Sequence, residues 1–289
     1  MNGKIIKSQK ELYYVKADEN TYMCKARGNF RKRGIKPLVG DNAVIDIQDD
    51  KKAYITEILE RKNEIKRPNI ANIDQILVFV TISSPPLNLY NLDKYLAMCE
   101  YEDIDVVIIL TKKDLADSKQ IRKLSKTYES LDYKLISIDN YNDFPEDTIR
   151  EILYAKTSAV SGASGVGKST FLNNLVEREL EIGEISEKLK RGKNTTRHTE
   201  IYSLDRNTHI FDTPGFDNFD FDFIENENNL KYTFREMADT SCRFNNCNHI
   251  NEPNCSVKEK LKNGQIAQSR YDNYLLLFKE LKERRENKW

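Results

Sequence analysis

Eight consecutive positions, Gly162-Ala163-Ser164-Gly165-Val166-Gly167-Lys168-Ser169, have the residue types and spacing of a phosphate-binding loop. Glycines at 162, 165 and 167 let the backbone turn its N–H groups inward around phosphate oxygens. Lys168 brings a cation to the β and γ oxygens, and the Ser169 hydroxyl is placed to ligate Mg²⁺. Ala163, Ser164, Val166 and Thr170 complete the stretch expected to touch the nucleotide. The context agrees: residues 158–161 suit a short buried strand, and residues 169–175 read as the first turns of a helix, whose N-terminus favours anions.

Two further segments fit the same chemistry. Thr208-His209-Ile210-Phe211-Asp212-Thr213-Pro214-Gly215 is an apolar strand ending in D-T-P-G. There Asp212 is placed to support Mg²⁺, directly or through water, and the Gly215 N–H to sense a γ-phosphate. Between them, residues 191–198 are polar and basic, with Thr195 and Thr196 adjacent. That suits a switch segment in which one of the two threonines closes over the metal.

A base-reading motif, Thr111-Lys112-Lys113-Asp114, precedes the phosphate loop. The β-branched run at 106–110 is long enough for one central strand, so the motif falls at a strand's C-terminal end, where ligands bind in open α/β sheets. The Asp114 carboxylate can accept from guanine N1–H and the 2-amino group together, and adenine lacks that donor pair. The stem of Lys112 can cover the purine face. Ser137, after a further strand-like run, is a secondary candidate for a backbone contact to the base. In ordinary GTPases the phosphate loop comes first, so the reversed order indicates a circularly permuted GTPase domain.

Positioning these groups requires a mostly parallel sheet covered by helices. Residues 73–82 read as a strand, 83–86 as a loop and 89–101 as a helix, with Cys99 in its apolar face, and the alternation continues to about residue 220. The expected modules are 1–68, 69–220 and 221–289. The first reads as short strands at 3–8, 12–17, 21–26, 41–47 and 53–59, a spacing that suggests a small closed β-barrel. It carries 16 Lys and Arg against 10 Asp and Glu, a surplus that suits a polyanion. Arg27, Arg31, Lys32, Arg33 and Lys36 share one loop with Phe30, a candidate stacking platform. Residues 217–229, dense in Asp, Glu and Asn, read as a linker or a mobile acidic segment.

Charged residues make up 32% of the 289, yet the formal net charge is zero, so any electrostatic footprint is regional. No apolar run approaches bilayer length and residues 1–10 lack a signal-peptide core, so a cytoplasmic, membrane-free protein is expected. The five cysteines are an odd number with three clustered, which favours metal ligation over disulfides. Cys242, Cys247, His249 and Cys255 offer three sulfurs and one nitrogen, a set suited to tetrahedral, structural Zn²⁺. Residues 257–289 have an amphipathic pattern expected to form one or two helices packed on that loop. His209 reads as a strand residue, and His198 as part of the switch. With no coiled-coil stripe, a monomer is the default.

Taken together these residues resemble the bacterial small-ribosomal-subunit biogenesis GTPase family, RsgA (also called YjeQ or YloQ). The likeness extends to Arg27-Gly28 and Pro37-Leu38-Val39-Gly40-Asp41, Arg61-Lys62-Asn63-Glu64, Arg67-Pro68, Asn72-Ile73-Asp74, the permuted nucleotide motifs, the 191–198 stretch and the Cys₃His set. The resemblance implies an N-terminal OB-fold β-barrel, a central circularly permuted α/β P-loop GTPase and a C-terminal helical zinc-binding domain. It implies GTP and GDP as ligands, binding to the 30S subunit through 16S rRNA late in maturation, and slow hydrolysis stimulated by the subunit. Two features bear on mechanism. Asn194 stands where many relatives have His, and Phe216 follows D-T-P-G where Ras-like enzymes place a water-orienting Gln. A low intrinsic rate is therefore expected, with ordering of the switch loops on the 30S subunit. A large-subunit GTPase, an RNA-binding protein with nucleotide as a structural ligand, and a P-loop ATPase or small-molecule kinase are the competing readings. The intact magnesium motifs and Asp114 weigh against the last two.

Overall fold

The computed structural model describes residues 1–28, 30, 33–49, 51–66, 69–182, 200–205, 207–212, 224–238 and 241–287. In chain order the strands are β1 (Asn2–Gln9), β2 (Leu12–Ala17), β3 (Asn20–Ala26), β4 (Asn42–Asp49), β5 (Lys52–Ile58), β6 (Glu64–Lys66), β7 (Asn69–Ala71), β8 (Gln75–Val80), β9 (Asp105–Leu110), β10 (Lys134–Ser137), β11 (Thr157–Ser161), β12 (Glu200–Ser203) and β13 (His209–Asp212). The helices are α1 (Leu89–Tyr101), α2 (Ser118–Glu129), α3 (Glu146–Leu153), α4 (Lys168–Ile182), α5 (Ser256–Lys262) and α6 (Gln268–Glu286).

The elements fall into two compact units, each built from two stretches of chain. One comprises Met1–Val80 with Ile138–Asp217, the other Thr81–Ser137 with Asn218–Trp289.

In the first unit, β1 to β5 close into a barrel in the order β1-β2-β3-β5-β4. Strand β4 returns antiparallel to β1, and β3 runs parallel to β5. Period-two alternation drives the closure: along β2, Tyr13, Val15 and Ala17 point inward while their neighbours are half-buried. These three pack with Ile5, Cys24 and Ile55 in the barrel core. All five expected strands are present. Phe30 corrects the sequence reading: it is buried in this core, and its carbonyl accepts from Arg33 N and Ile35 N. An aromatic ring beside a barrel mouth gains more from leaving water than from waiting for a base. Arg31, Lys32, Arg67 and Pro68 lie outside the described residues.

Strand β1 also pairs antiparallel with β12 through Lys7 and Glu200, and β12 leads on to β13, β11 and β8. Strands β8, β11 and β13 are parallel. Every residue of β8 and β11 is buried, as expected for strands covered on both faces. Gln75 is the polar exception on β8, and it is satisfied: its Nε2 donates to Ile152 O and Ser158 Oγ, both at 2.9 Å. Gly40 lies where the barrel module meets β7 and β13. At φ +98°, a Cβ there would lie 2.0 Å from Ala71 O and 2.8 Å from the Phe211 ring, so no other residue fits.

The second unit pairs β9 and β10 in parallel and packs α1 and the C-terminal helices around an apolar core of its own. Its centre is polar. Arg270, 1% exposed, grips both Glu236 oxygens at 2.7 and 2.9 Å and donates to Asp93 Oδ1 at 2.7 Å. Asp93, on α1, also accepts from Tyr128 Oη at 2.8 Å and Asn273 Nδ2 at 2.6 Å. The guanidinium lies over the Phe234 ring, 4.5 Å from its centroid. The described part of the expected acidic linker is likewise ordered. Residues Glu227–Thr233 form a 3-10 helix, and buried Glu227 pairs with Arg285 at 2.8 Å. An apolar set that includes Ile224 and Leu230 pulls this segment into the core, overriding its polar composition.

Replacing Arg270 by Met should leave two buried carboxylates facing each other and cost about 3–5 kcal/mol, read as a lower denaturation midpoint. Stability should also depend on pH through His209. Burial, then the nearby Lys4 and Lys16, push its imidazole down to about 4 from 6.5. The unfolded chain therefore takes up a proton that the folded one refuses between those values. Stability should be full above pH 6.5 and fall by up to about 3 kcal/mol as pH drops toward 4. A His209→Gln protein should show a flatter dependence over that window in a denaturation series.

Candidate functional site

The phosphate-loop residues follow the buried strand β11, and α4 begins at Lys168. Gly162, Gly165 and Gly167 all have positive φ, at +140°, +78° and +99°, as an inward-turned backbone requires. At Gly162 a Cβ would strike Phe79 O at 2.3 Å, so the loop is pressed directly onto β8. Val166 is buried beneath the loop, while Ala163, Ser164 and Gly165 face solvent. The Lys168 ammonium lies back across the loop and donates to Gly162 O and, at 2.9 Å, to Ala163 O. Ser169 is exposed and Thr170 half-buried in the first turn of the helix. Phe171, fully buried, meets Phe79 edge-on at 4.9 Å and Phe144 at 5.5 Å, which anchors the helix start. An accessible helix N-terminus, positive-φ glycines and a lysine across the loop suit an anionic phosphate chain with its magnesium.

The four residues expected to read the base stand at the C-terminal end of β9. Thr111 is fully buried, and Lys112 takes a left-handed conformation at φ +53°, ψ +43°. The turn re-aims the chain so that Lys113–Leu115 forms a 3-10 helix with Asp114 exposed in it. Lys112 Nζ donates to Ser84 O at 2.7 Å, which extends its stem. Ser137 sits opposite Leu110 in the β9–β10 register, at the same strand edge as Thr111. Asp212 ends β13. Asn194, Thr195, Thr196, Arg197, His198, Thr213, Pro214, Gly215 and Phe216 lie outside the described residues, as does the Asp212 side chain.

Cys242, Cys247, His249 and Cys255 converge, their ligand atoms all within 4.8 Å of one another. His249 Nδ1 is 3.5, 3.5 and 3.4 Å from the sulfurs of Cys242, Cys247 and Cys255, and the Cys242 and Cys255 sulfurs are 3.9 Å apart. A tetrahedron with metal bonds of about 2.3 Å to sulfur and 2.0 Å to nitrogen has edges of ~3.8 and ~3.5 Å. The donor set therefore fits one tetrahedral cation. His249 Nε2 lies 3.0 Å from Met237 O, where it donates, and this leaves the Nδ1 lone pair for the cation. Glu252 gathers the N–H groups of Asn248, Ile250 and Asn251 at 2.8–3.0 Å, while Tyr271 Oη holds His249 O at 2.6 Å. Without a cation, burial pushes the Cys247 thiol up to about 12. Metal entry must therefore release protons.

Sequence reasoning missed three supports of these sites. Asp139 and Asn140 form a turn against the phosphate loop, and the turn-forming pair after a strand-like run was the only signal. Lys231 is buried and donates to Cys247 O at 3.0 Å behind the metal ligands. Arg270 and Asp93 look like ordinary surface charges in the sequence.

With the geometry established, comparison places this chain among known proteins. A family model described as RsgA GTPase matches residues 58–222, and one described as RsgA N-terminal domain matches residues 2–55. The small ribosomal subunit biogenesis GTPase RsgA of Clostridium perfringens (strain ATCC 13124) is 41% identical over 290 residues, covering 99% of this chain and all of that one. Its counterpart in Agathobacter rectalis is 42% identical over 302 residues, with the same coverage. Among solved structures, YjeQ from Thermotoga maritima superposes with a TM-score of 0.84 at 32% identity, covering 97% of this chain and 98% of that one. YloQ, described as a circularly permuted GTPase, gives 0.79 at 34% identity over 98% and 95%.

If the four ligands hold a metal, the purified protein should carry one equivalent. Chelation, or Cys255→Ser, should remove it and lower the unfolding midpoint by about 10 °C or more, read by metal analysis and calorimetry.

Proposed function

Because the chain belongs to the RsgA GTPase family and is a GTP hydrolase, we propose that its nucleotide state controls binding to the maturing 30S subunit, whose contact in turn stimulates hydrolysis. The observation that carries this reading is the pair of nucleotide motifs in reversed order, each at the C-terminal end of a parallel strand. The relatives named above are small-subunit biogenesis factors, which points the same chemistry at the same kind of partner.

In this reading Asp114 selects guanine through its two-acceptor carboxylate, and the Lys112 stem covers the base. Charge on the phosphates is a stronger partner for the Lys168 ammonium than two neutral carbonyls. Lys168 therefore leaves Gly162 O and Ala163 O for the nucleotide. The N–H groups at the start of α4 hold phosphate oxygens, and Ser169 holds Mg²⁺, with Asp212 and one of Thr195 or Thr196 supporting it. Magnesium, when bound, would supply charge neutralisation to the phosphates. Gly215 senses the γ-phosphate. Phe216 cannot orient water by hydrogen bonding, so the missing help comes from the subunit.

The modules are proposed as 1–68 for rRNA contact, 69–220 for GTP and 221–289 for zinc. The Cys₃His set holds one structural Zn²⁺, because four protein ligands leave no open position for chemistry. The basic surplus of the barrel module, including Arg27, Arg33 and Lys36, favours 16S rRNA as its partner. Among the described residues no helix is long and apolar enough to cross a membrane. A cytoplasmic monomer is the state proposed.

GTP turnover should be slow alone, rise at least about tenfold with purified 30S subunits, equivalent to ~1.4 kcal/mol of barrier, and stay unchanged with 50S subunits. Equal rates in all three would remove the small-subunit reading. Asp114→Asn should abolish the preference for GTP over ATP in competition binding, and an unaltered preference would displace Asp114 from base selection.

A further inference from the structure

We propose that Asn140 is a positioning residue of the phosphate loop, fixing the peptide that presents the Lys168 N–H to the β-phosphate. The inference rests on the reading of residues 162–170 as that loop. Residues 139–143 form a tight turn: Asp139 and Asp143 exchange both backbone hydrogen bonds at 3.1 Å. The Asp139 carboxylate holds Tyr141 N at 2.9 Å and Asn142 Nδ2 at 2.7 Å. The turn is therefore rigid without help from the loop it faces.

Its tip delivers Asn140, 9% exposed, to the loop. Asn140 Nδ2 donates to Gly167 O at 3.2 Å, and Asn140 O accepts from Asn174 Nδ2 on α4. Gly167 O also accepts from Phe171 N at 3.0 Å, as the first helical bond of α4. Two donors thus hold one carbonyl. The Gly167–Lys168 peptide is trans and planar, so its N–H points opposite to that carbonyl. Pinning the carbonyl toward the protein aims the Lys168 N–H out past the start of α4, where a phosphate oxygen is to be received. Gly167, at φ +99°, has more rotational freedom than any other residue type would have there, so this peptide gains from an external restraint.

The remaining polar atom supports an imposed geometry. Asn140 Oδ1 is buried with no hydrogen-bond partner among the described residues. A buried acceptor left unsatisfied costs free energy, and such groups call for an explanation. Here the side chain is oriented by what its Nδ2 does for Gly167, not by its own full satisfaction.

The test compares GDP, which has a β-phosphate, with GMP, which lacks one, by titration calorimetry and competition in the presence of Mg²⁺. Asn140→Ala should weaken GDP about fivefold, the loss of one ordinary hydrogen bond, and change GMP by less than twofold. Asn140→Asp keeps the shape but turns a carboxylate oxygen toward Gly167 O, so GDP affinity should fall further, with GMP again spared. Asn174→Ala, which frees Asn140 from the helix side, should give a smaller loss of the same GDP-selective kind. The unfolding midpoint of each nucleotide-free variant guards against a folding defect, because a general loss of structure weakens both nucleotides. GDP binding unchanged in Asn140→Asp, or GDP and GMP weakened by one common factor, would overturn the proposal. Wild-type protein binding GDP no better than GMP would instead overturn the phosphate-loop reading on which it stands.

Discussion

The second unit is organised around a single guanidinium taken out of water. Arg270 carries one positive charge between two carboxylates, and Tyr128 and Asn273 complete the set of donors to Asp93. Such a network adds little net stability compared with a well-packed apolar core, but its bonds are directional where apolar contacts are not. The partners come from four separate segments: Asp93 on α1, Tyr128 on α2, Asn273 and Arg270 on α6, and Glu236 just after the 3-10 helix. The segment that carries the base-reading residues and the segment that carries the metal ligands are therefore registered to each other by directional bonds. Leucines in the same places would hold them together without specifying the angle.

The first unit solves a different problem, which is to hold a strained loop against a flat surface. Gly162 rests on Phe79 O and Gly40 on Ala71 O, so two points of backbone contact exclude any side chain. Beside Gly162, Phe79, Phe171 and Phe144 form an aromatic wedge that fixes the start of α4. The loop itself stays exposed. Rigid support beneath an accessible anion-binding backbone is the arrangement that preorganised phosphate binding requires. The Cys₃His cluster follows the same logic, with Glu252, Tyr271 and Met237 orienting the loop and its histidine.

Both units draw on distant stretches of sequence, and that limits what local pattern could reveal. The barrel strands were legible because alternation has a period of two and turn residues separate them. Strands β9 and β11 were legible as apolar runs, and the nucleotide motifs by their spacing. The four candidate metal ligands were legible because three cysteines and a histidine so close together suit one tetrahedral cation. Phe30 was misread, since an aromatic among cations is compatible with both a stacking platform and a core residue, and only burial separates them. The segment at 224–229 was misread for the converse reason, because its polar composition hid Ile224 and the ion pair from Glu227 to Arg285.

The sequence by itself determined the GTPase family and the permuted order of its motifs, and it put forward the residues for phosphate binding, guanine reading and metal ligation. Those properties depend on residue type and short spacing, which the chain carries locally. Tertiary structure alone decided which charges are buried, which carbonyl of the phosphate loop is restrained, and which tautomer the metal-site histidine adopts. Asp93 and Arg270 are 177 positions apart, and Asn140 and Gly167 are 27 apart. A hydrogen bond or an ion pair takes its strength from distance, direction and exclusion of water, and none of these exists until the chain has folded.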